Sequence, residues 1–239
     1  MSEYIIEMLG KRIAGDIVWS GNIAASMRKW RVIFKASQSE LAKMLDVAPS
    51  VINSYEKGKR VPGARFVKRY VEALLRIDSS RGWAVARELM KSFNINIQAI
   101  IDMSEFDVPV SLDELVTTVK GIVLNSVFQT KHLYGYTIID SIEAIQSLSG
   151  NEFWQIMGST TERVLLFTKV GTGRSPMIAV RVAPVKPAAV VLHGTRRVDP
   201  LAISLADKEA IPLILSTTES VEELVRSMRD LRYRQLAES

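Results

Sequence analysis

The strongest constraint on the fold of this chain is a pair of short helix signals separated by a very short turn. Ser37 and Glu40 have the spacing of a capping box, which predicts that a helix begins at Gln38. Pro49 suits the first turn of a second helix, and Asp46 lies in the turn between them, where a left-handed backbone is often needed. Two short helices joined this closely must cross and share an apolar core, so the segment predicts a helix-turn-helix.

The second of these helices has an inner and an outer side. Val51, Ile52 and Tyr55 are spaced to face the core, and Gly58 supplies the residue past the helix end. Four residues then remain on the outward side, near the amino-terminal end: Pro49, Ser50, Asn53 and Ser54. The segment from Ser26 to Ile77 therefore predicts a helical bundle with one polar outward edge.

Basic residues are concentrated in the amino-terminal third of the chain. Residues 1–80 contain 14 Lys and Arg against 8 Asp and Glu, a net charge of +6, and the rest of the chain carries −1. A basic module joined to a nearly neutral larger body is expected of a nucleic-acid reader attached to a sensor or assembly domain. A solvated Lys and Arg surface without a ligand is the alternative explanation.

Several kinds of chemistry are excluded by what the sequence lacks. Without cysteine there is no disulfide, thiolate nucleophile or zinc finger, and His132 and His193 alone do not make a usual zinc site. We therefore expect no metal and no cofactor. No apolar run reaches the roughly 18 residues of a membrane span, and Glu3 and Glu7 do not fit a signal peptide. We expect a cytoplasmic protein.

Helices are expected throughout the first half of the chain. Apolar residues with helical spacing predict a first helix that ends near residues 20–21: Ile6, Leu9, Ile13 and Ile17. Four helical segments are expected between residues 22 and 77, and another at 83–93. One more runs from 112 to about 120, behind a capping box of Ser111 and Glu114. Residues 94–109 are expected to form a linker.

The character of the sequence changes after about residue 124. Strands are predicted at 164–170 and 177–182, on either side of residues 171–176, and a short buried strand is predicted at 188–192. A helix at 200–208, a strand at 213–216 and a helix at 221–231 continue the alternation, and residues 232–239 are expected to be a frayed tail. Alternating strands and helices predict an α/β domain.

The predicted fold class is a multidomain α+β protein, in which an all-α helix-turn-helix bundle precedes a carboxy-terminal α/β domain. We expect residues 1–80 to hold the first helix and the helix-turn-helix, and residues 81–123 to form a helical linker region. Residues 124–239 are expected to form an α/β domain for effector sensing or dimerisation.

The helix-turn-helix segment resembles the Cro/CI-type (Xre) family of DNA-binding modules. The resemblance covers residues 26–77 and depends on two motifs, S-Q-x-x-L-A from Ser37 and Y-E-x-G-x-x-x-P from Tyr55. The whole chain also resembles a group of predicted archaeal regulators that join this module to an α/β domain. The resemblance implies a sequence-specific transcription regulator that inserts residues 49–57 into the major groove of double-stranded DNA, typically as a homodimer on a palindromic site.

The family motif also assigns DNA contacts by position. Phosphate contacts fall on Gln38, Arg28, Lys57, Lys59 and Arg60, and base contacts fall on Pro49, Ser50, Asn53 and Ser54. Asn53 is the best candidate for specificity because a carboxamide can form paired hydrogen bonds with adenine. In two departures from the family, Asp46 replaces the usual turn glycine and Ala48 offers no capping oxygen. Arg and Gln are absent from residues 49–56, which leaves room for a large contribution from DNA shape.

Two segments of the α/β domain are candidate ligand sites. Residues 171–175 offer backbone amides, two hydroxyls and a guanidinium, which suit a phosphate or carboxylate, although a simple turn between two strands is the favoured interpretation. Residues 193–199 follow a buried strand, where α/β sheets often bind ligands, although Asp199 also suits a helix cap and His193 can simply satisfy a backbone group. The candidate residues for binding a small anionic metabolite are Gly171, Gly173, Arg174, Ser175, His193, Arg196 and Arg197.

Two other functions stay open at this point. The chain can be a protein-interaction or assembly module without effector sensing, in which case its affinity for DNA is indifferent to metabolites. It can also be an α/β enzyme fused to a helical bundle. An enzyme would need a nucleophile with its base, paired carboxylates or a phosphate loop with metal ligands, and the sequence offers none of these, so we expect no enzymatic activity.

Overall fold

The chain divides into two units, Met1–Ile95 and Asn96–Ser239. The structure is a computed structural model that describes residues 1–92, 99–127, 132–150, 152–153 and 162–237. No helix within these residues is long and apolar enough to cross a membrane.

The first unit is built from helices. They are α1 (Glu3–Trp19), α2 (Ile23–Ile33), α3 (Gln38–Leu45), α4 (Pro49–Glu56), α5 (Ala64–Ser80) and α6 (Ala84–Ser92). The four helices predicted between residues 22 and 77 are thus confirmed. Leu9, Ile13 and Ile17 of α1 are fully buried, and α1 packs chiefly along α5. The spacing that predicted α1 therefore marks its core-facing side.

A carboxylate on α1 holds this helix to α2. One oxygen of Asp16, Oδ2, accepts hydrogen bonds from Ser26 Oγ at 2.9 Å, Lys29 Nζ at 2.6 Å and Trp30 Nε1 at 2.7 Å. The hydrogen bond from Lys29 does most to lower the pKa of Asp16 below its ordinary value, and Trp30 and Ser26 lower it further against a smaller effect of burial. Asp16 is therefore a charged link between the first helix and the helix-turn-helix.

The second unit is a six-stranded sheet with helices. The strands are β1 (Ile100–Val110), β2 (Gly121–Val123), β3 (Leu133–Asp140), β4 (Arg163–Thr168), β5 (Ala189–Leu192) and β6 (Leu213–Ser216). The helices are α7 (Leu112–Thr118), α8 (Ser141–Ser147), α9 (Arg174–Val182), α10 (Pro200–Lys208) and α11 (Val221–Ala237). The strand order is β1-β3-β4-β5-β6-β2. The four central strands run parallel, and β1 and β2 pair antiparallel at the edges.

Helices cover both faces of the sheet. Leu165 of β4 belongs to an apolar cluster that includes residues of α8, α9 and α10, and its neighbour Leu166 belongs to a second cluster that includes residues of α7 and α11. Successive strand residues point to opposite faces, so every position of β4 is buried. The expected α/β domain is confirmed, and with the helical first unit so is the α+β class.

One predicted strand is wrong. Residues 177–182 belong to helix α9, and the preceding glycine loop opens a helix instead of joining two strands. Met177 and Val180 are buried whereas Ile178 and Val182 are exposed, which is a helical period that β-branched side chains obscured. The parallel pairing of β4 and β5 also requires a crossover connection, which is usually a helix.

The predicted linker at 94–109 is also wrong, because β1 begins at Ile100; residues 94–98 lie outside the described part. Asp102, Ser104 and Phe106 are buried at alternate positions in the first part of β1. Because two of these three residues are polar, the sequence does not show the alternation of apolar and polar residues that marks a strand. Of the expected linker region 81–123, α6 belongs to the first unit, whereas β1, α7 and β2 belong to the second.

The remaining expectations for the second half need smaller changes. The helix at 200–208, the strand at 213–216 and the capping box of Ser111 with Glu114 are confirmed. Strands β4 and β5 are shorter than predicted. The expected frayed tail from residue 232 is wrong, because α11 continues to Ala237. The tail residues Arg232, Gln235 and Leu236 all favour a helix, which explains the extension.

Candidate nucleic-acid interface

Local hydrogen bonds fix the two helices of the helix-turn-helix. The Glu40 amide donates to Ser37 Oγ at 3.0 Å, and the Ser37 amide donates to Glu40 Oε2 at 3.4 Å, so the capping box is present. Asp46 adopts the left-handed conformation at φ 54°, the conformation for which the family ordinarily uses glycine. Helix α4 begins at Pro49 without a side-chain cap from Ala48. Both departures from the family motif are therefore accommodated.

The side chains of α4 divide into an inner and an outer set. Ile52 is fully buried, and Tyr55 packs against Phe66 of α5 with tilted rings whose centroids are 4.5 Å apart. Pro49 and Ser50 are exposed, as is Ala48 before them, whereas Asn53, Ser54 and Val51 are half-buried. The outer edge is thus short and polar, with apolar carbon only at its amino-terminal end.

A buried carboxylate that the sequence analysis missed ties α4 to the other helices. The side chain of Glu56 is 2% exposed. Arg31 of α2 donates to it twice, from Nε to Oε1 at 2.6 Å and from Nη2 to Oε2 at 2.8 Å. Gln38 of α3 donates to Oε2 at 2.8 Å. The Tyr70 hydroxyl of α5 donates to the Met27 carbonyl at 2.9 Å and lies 3.5 Å from Oε1.

This cluster keeps Glu56 ionised. Burial raises the pKa of the Glu56 carboxyl, but the hydrogen bonds from Arg31 and Gln38 and the charge of Arg31 together outweigh burial, so its pKa lies below the ordinary value. Burial also raises the pKa of the Tyr70 hydroxyl, which stays protonated. The position of Glu56 after Tyr55 in the Y-E motif was the available signal for this cluster.

The cations expected to touch phosphates lie around the end of α4. Arg28, Lys57, Lys59 and Arg60 are all exposed. Gly58 takes a left-handed conformation at φ 69° and allows the chain to leave the helix. A shallow depression of about 590 Å³ lies between α2 and this loop, and Arg28 and Lys57 are among its lining residues. Gln38 differs from the cations because its amide is engaged by Glu56.

The candidate anion-binding residues of the second unit form two groups. The loop at 171–173 follows β4 and meets the loop at 195–199, because Thr195 Oγ1 donates to the Gly171 carbonyl at 2.6 Å. Gly173 stands at the amino-terminal cap of α9 with φ 80°. Arg174 forms an ion pair with Asp199 at 2.6 Å, and Asp199 also caps α10 as predicted.

His193 is directed to a different neighbour. Its ring atom Nε2 lies 3.1 Å from the Thr218 carbonyl, after β6. Ser175, Arg196 and Arg197 are exposed. The structure therefore brings Gly171, Gly173 and Arg174 beside the 195–199 loop, whereas the imidazole of His193 has its hydrogen-bond partner elsewhere.

A search of solved structures found a distant likeness. It is the crystal structure of the CBS and DRTGG domains of the regulatory region of Clostridium perfringens pyrophosphatase, complexed with the activator diadenosine tetraphosphate. The likeness has a TM-score of 0.37 and 15% sequence identity, and it covers 49% of this chain and 47% of that one.

Sequence comparisons are much closer. A profile of the helix-turn-helix family matches residues 27–75. A protein of Archaeoglobus fulgidus is 44% identical over 92% of this chain and 96% of its own length, and one of Methanocaldococcus jannaschii is 40% identical over 95% and 96%. Both bear the name uncharacterized HTH-type transcriptional regulator. The chain therefore belongs to this family of archaeal transcriptional regulators, and its DNA-binding module is the Xre-type helix-turn-helix that residues 26–77 predict.

Proposed function

We propose that this regulator reads DNA with α4 in the major groove. The observation that carries the proposal is the division of α4 into two sides. Ile52 and Glu56 are buried in the bundle, whereas Pro49 and Ser50 are exposed and Asn53 and Ser54 are half-buried on the outward edge. Helix-turn-helix proteins present this end of the second helix to base edges, so these four side chains are the proposed base contacts.

Phosphate contacts set the position of α4 in the proposed complex. The exposed cations Arg28, Lys57, Lys59 and Arg60 follow or flank α4, and such contacts fix register without reading sequence. Gln38 is the remaining proposed phosphate contact. An amide nitrogen carries two hydrogens, so Gln38 can donate one to Glu56 and the other to a phosphate.

The experiment that tests this function is selection of bound genomic fragments at fixed salt, with the wild type and an Asn53→Ala, Ser54→Ala variant. The wild type is expected to enrich one sequence, and the variant to lose that enrichment while keeping weak, salt-sensitive binding. Ser79→Ala, at an exposed helical serine of α5, is the matched control and should behave as wild type. If the wild type enriches nothing, the proposal fails.

We further propose that the protein acts as a homodimer. Two reading helices related by a two-fold axis would contact half-sites about one helical turn of DNA apart. Light scattering of the free protein should give twice the monomer mass of 26.7 kDa, and the selected sequence should be palindromic. A monomer on a single half-site would contradict this part of the proposal.

A small anionic ligand that controls DNA binding is the second candidate function. The loop at 171–175 follows a parallel strand and opens α9, an arrangement that suits anions. Arg174 already pairs with Asp199 at 2.6 Å, so an anion there must compete with that carboxylate. Inorganic phosphate is the first probe. It should raise the melting temperature of the wild type and of Arg181→Ala, an exposed control on α9, but not of Arg174→Ala, Arg196→Ala.

A further inference from the structure

The outer edge of α4 lacks the charged side chains that read a G·C pair best. Guanine presents two acceptors in the major groove, which Arg or Lys matches best, and cytosine presents a donor, which Asp or Glu matches. Residues 49–56 contain neither Arg nor Lys. Their one carboxylate is Glu56, whose side chain is 2% exposed and is held by Arg31. The edge therefore offers neither a cation for guanine nor a free carboxylate for cytosine.

The same edge carries the groups that match an A·T pair. Adenine presents N7 and the N6 amino group, which a carboxamide such as that of Asn53 can contact at once, and thymine presents a methyl group that takes apolar contact. Pro49 and Ala48 are exposed and offer only carbon. Pro49 lies four residues before Asn53, so the two share one side of the helix about 6 Å apart. That separation corresponds to roughly two base-pair steps.

The first cation after this edge along the chain is Lys57. It lies four residues after Asn53, directly past the last residue of α4, and it is exposed beside Gly58. Lys59 and Arg60 follow in the loop. Cations at the carboxy-terminal end of a reading helix lie where the chain leaves the groove, so phosphate is their expected contact.

We infer that this regulator recognises a half-site through A·T pairs, with Asn53 on an adenine and Pro49 on the methyl group of a thymine within about two base pairs. This inference rests on the proposed function of α4. The expected operator is duplex DNA in which the base pairs that Asn53 and Pro49 contact are A·T pairs. Ser50 and Ser54 can contact either kind of base pair.

Base analogues test the inference on the sequence that the selection yields. Replacing the contacted adenine by 7-deaza-2′-deoxyadenosine removes N7, and replacing thymine by 2′-deoxyuridine removes only the methyl group, while both keep Watson–Crick pairing. The wild type should lose about tenfold in affinity with the adenine analogue and about threefold with the thymine analogue. The affinity of the Asn53→Ala variant should not respond to the adenine analogue, and that of the Pro49→Ser variant should not respond to the thymine analogue.

Two different failures are distinguishable. If the wild type enriches a sequence that depends on α4, but the sensitive positions are G·C and respond to 7-deazaguanine, the A·T inference is wrong and the proposed function survives. Loss of that guanine response in Lys57→Ala would then identify Lys57 as the reader. If the wild type enriches nothing, the proposed function fails and the inference fails with it.

Discussion

Arg31 and Glu56 form a two-pronged ion pair that joins α2 to the end of α4, with distances of 2.6 and 2.8 Å. The side chains are 14% and 2% exposed. A buried pair of this kind contributes little over an apolar pair of the same volume, but losing one partner leaves an uncompensated charge. The pair therefore fixes the geometry of α4 and makes the bundle sensitive to single substitutions here.

The first prediction concerns this pair. Arg31→Ala should lower the free energy of unfolding by about 3–5 kcal/mol because Glu56 stays buried without its cation. The double variant Arg31→Met, Glu56→Met should lose less free energy of unfolding than the single variant Arg31→Ala. Urea unfolding followed by circular dichroism checks both, with Arg76→Ala, at an exposed position of α5, as the control. Equal losses in the single and double variants would contradict the explanation.

The second prediction is the pH dependence that Glu56 imposes. Its folded-state pKa lies below the ordinary 4.5, so the unfolded chain binds a proton more readily than the folded one. The stabilisation is present at neutral pH, begins to fall near pH 4.5 and is lost as pH falls through the folded pKa. Acid unfolding of the wild type and of the Glu56→Gln variant measures this loss of stability at low pH. The slope of stability against pH below 4.5 should be shallower in the variant.

Sequence reasoning succeeded in the helix-turn-helix because its signals are local. Ser37 and Glu40 of the capping box are only three positions apart, and the left-handed turn at Asp46 is fixed by its neighbours. Glu56 escaped detection because its partner Arg31 lies 25 positions away. The Y-E motif marks the position of Glu56, but it does not identify Arg31 as the partner or show that the carboxylate is buried.

The same limit explains the errors in the second unit. Strand β1 faces the interior with Asp102, whose partners are Tyr136 and Arg229, 34 and 127 positions away. A polar residue at a buried position is stable only through such distant partners. Because these partners cannot be recognised from the segment itself, β1 was predicted to be part of a linker. Helix α9 was predicted to be a strand because its own segment does not reveal that β4 and β5 are parallel. Parallel strands require a crossover connection between them.

The third prediction tests how β1 is held. Asp102 is 3% exposed in its side chain and accepts two hydrogen bonds from Arg229, each at 3.0 Å, and one from Tyr136 at 2.9 Å. Asp102→Ala should cost about 3 kcal/mol because these donors lose their acceptor, and Tyr136→Phe about 1 kcal/mol. Asp107→Ala, at an exposed position of the same strand, is the control. Thermal unfolding should show the largest loss of stability in Asp102→Ala, a smaller loss in Tyr136→Phe and the smallest in Asp107→Ala. Any other order would contradict this account of β1.

The fourth prediction uses two glycines of one loop. Gly173 has φ 80°, and an added Cβ would lie 2.5 Å from Leu192 Cδ1, whereas a Cβ on Gly171 would meet nothing within 4 Å. Gly173→Ala should therefore destabilise the second unit by about 1–3 kcal/mol through strain and a clash with β5. Gly171→Ala should change stability by less than about 0.5 kcal/mol. Similar melting temperatures for the two variants would contradict the prediction.

The fifth prediction separates positioning from reading in the DNA complex. Lys59→Ala should weaken binding to the selected sequence and to random DNA by a similar factor, because a phosphate contact carries no sequence information. The slope of log affinity against log salt should fall by about one for the lost contact. Asn53→Ala should instead leave that slope unchanged and weaken only the selected sequence. Fluorescence anisotropy titrations at several salt concentrations measure both quantities. If Lys59→Ala alters sequence preference while the salt slope stays constant, Lys59 contacts a base, and the boundary between reading and positioning residues lies beyond the end of α4.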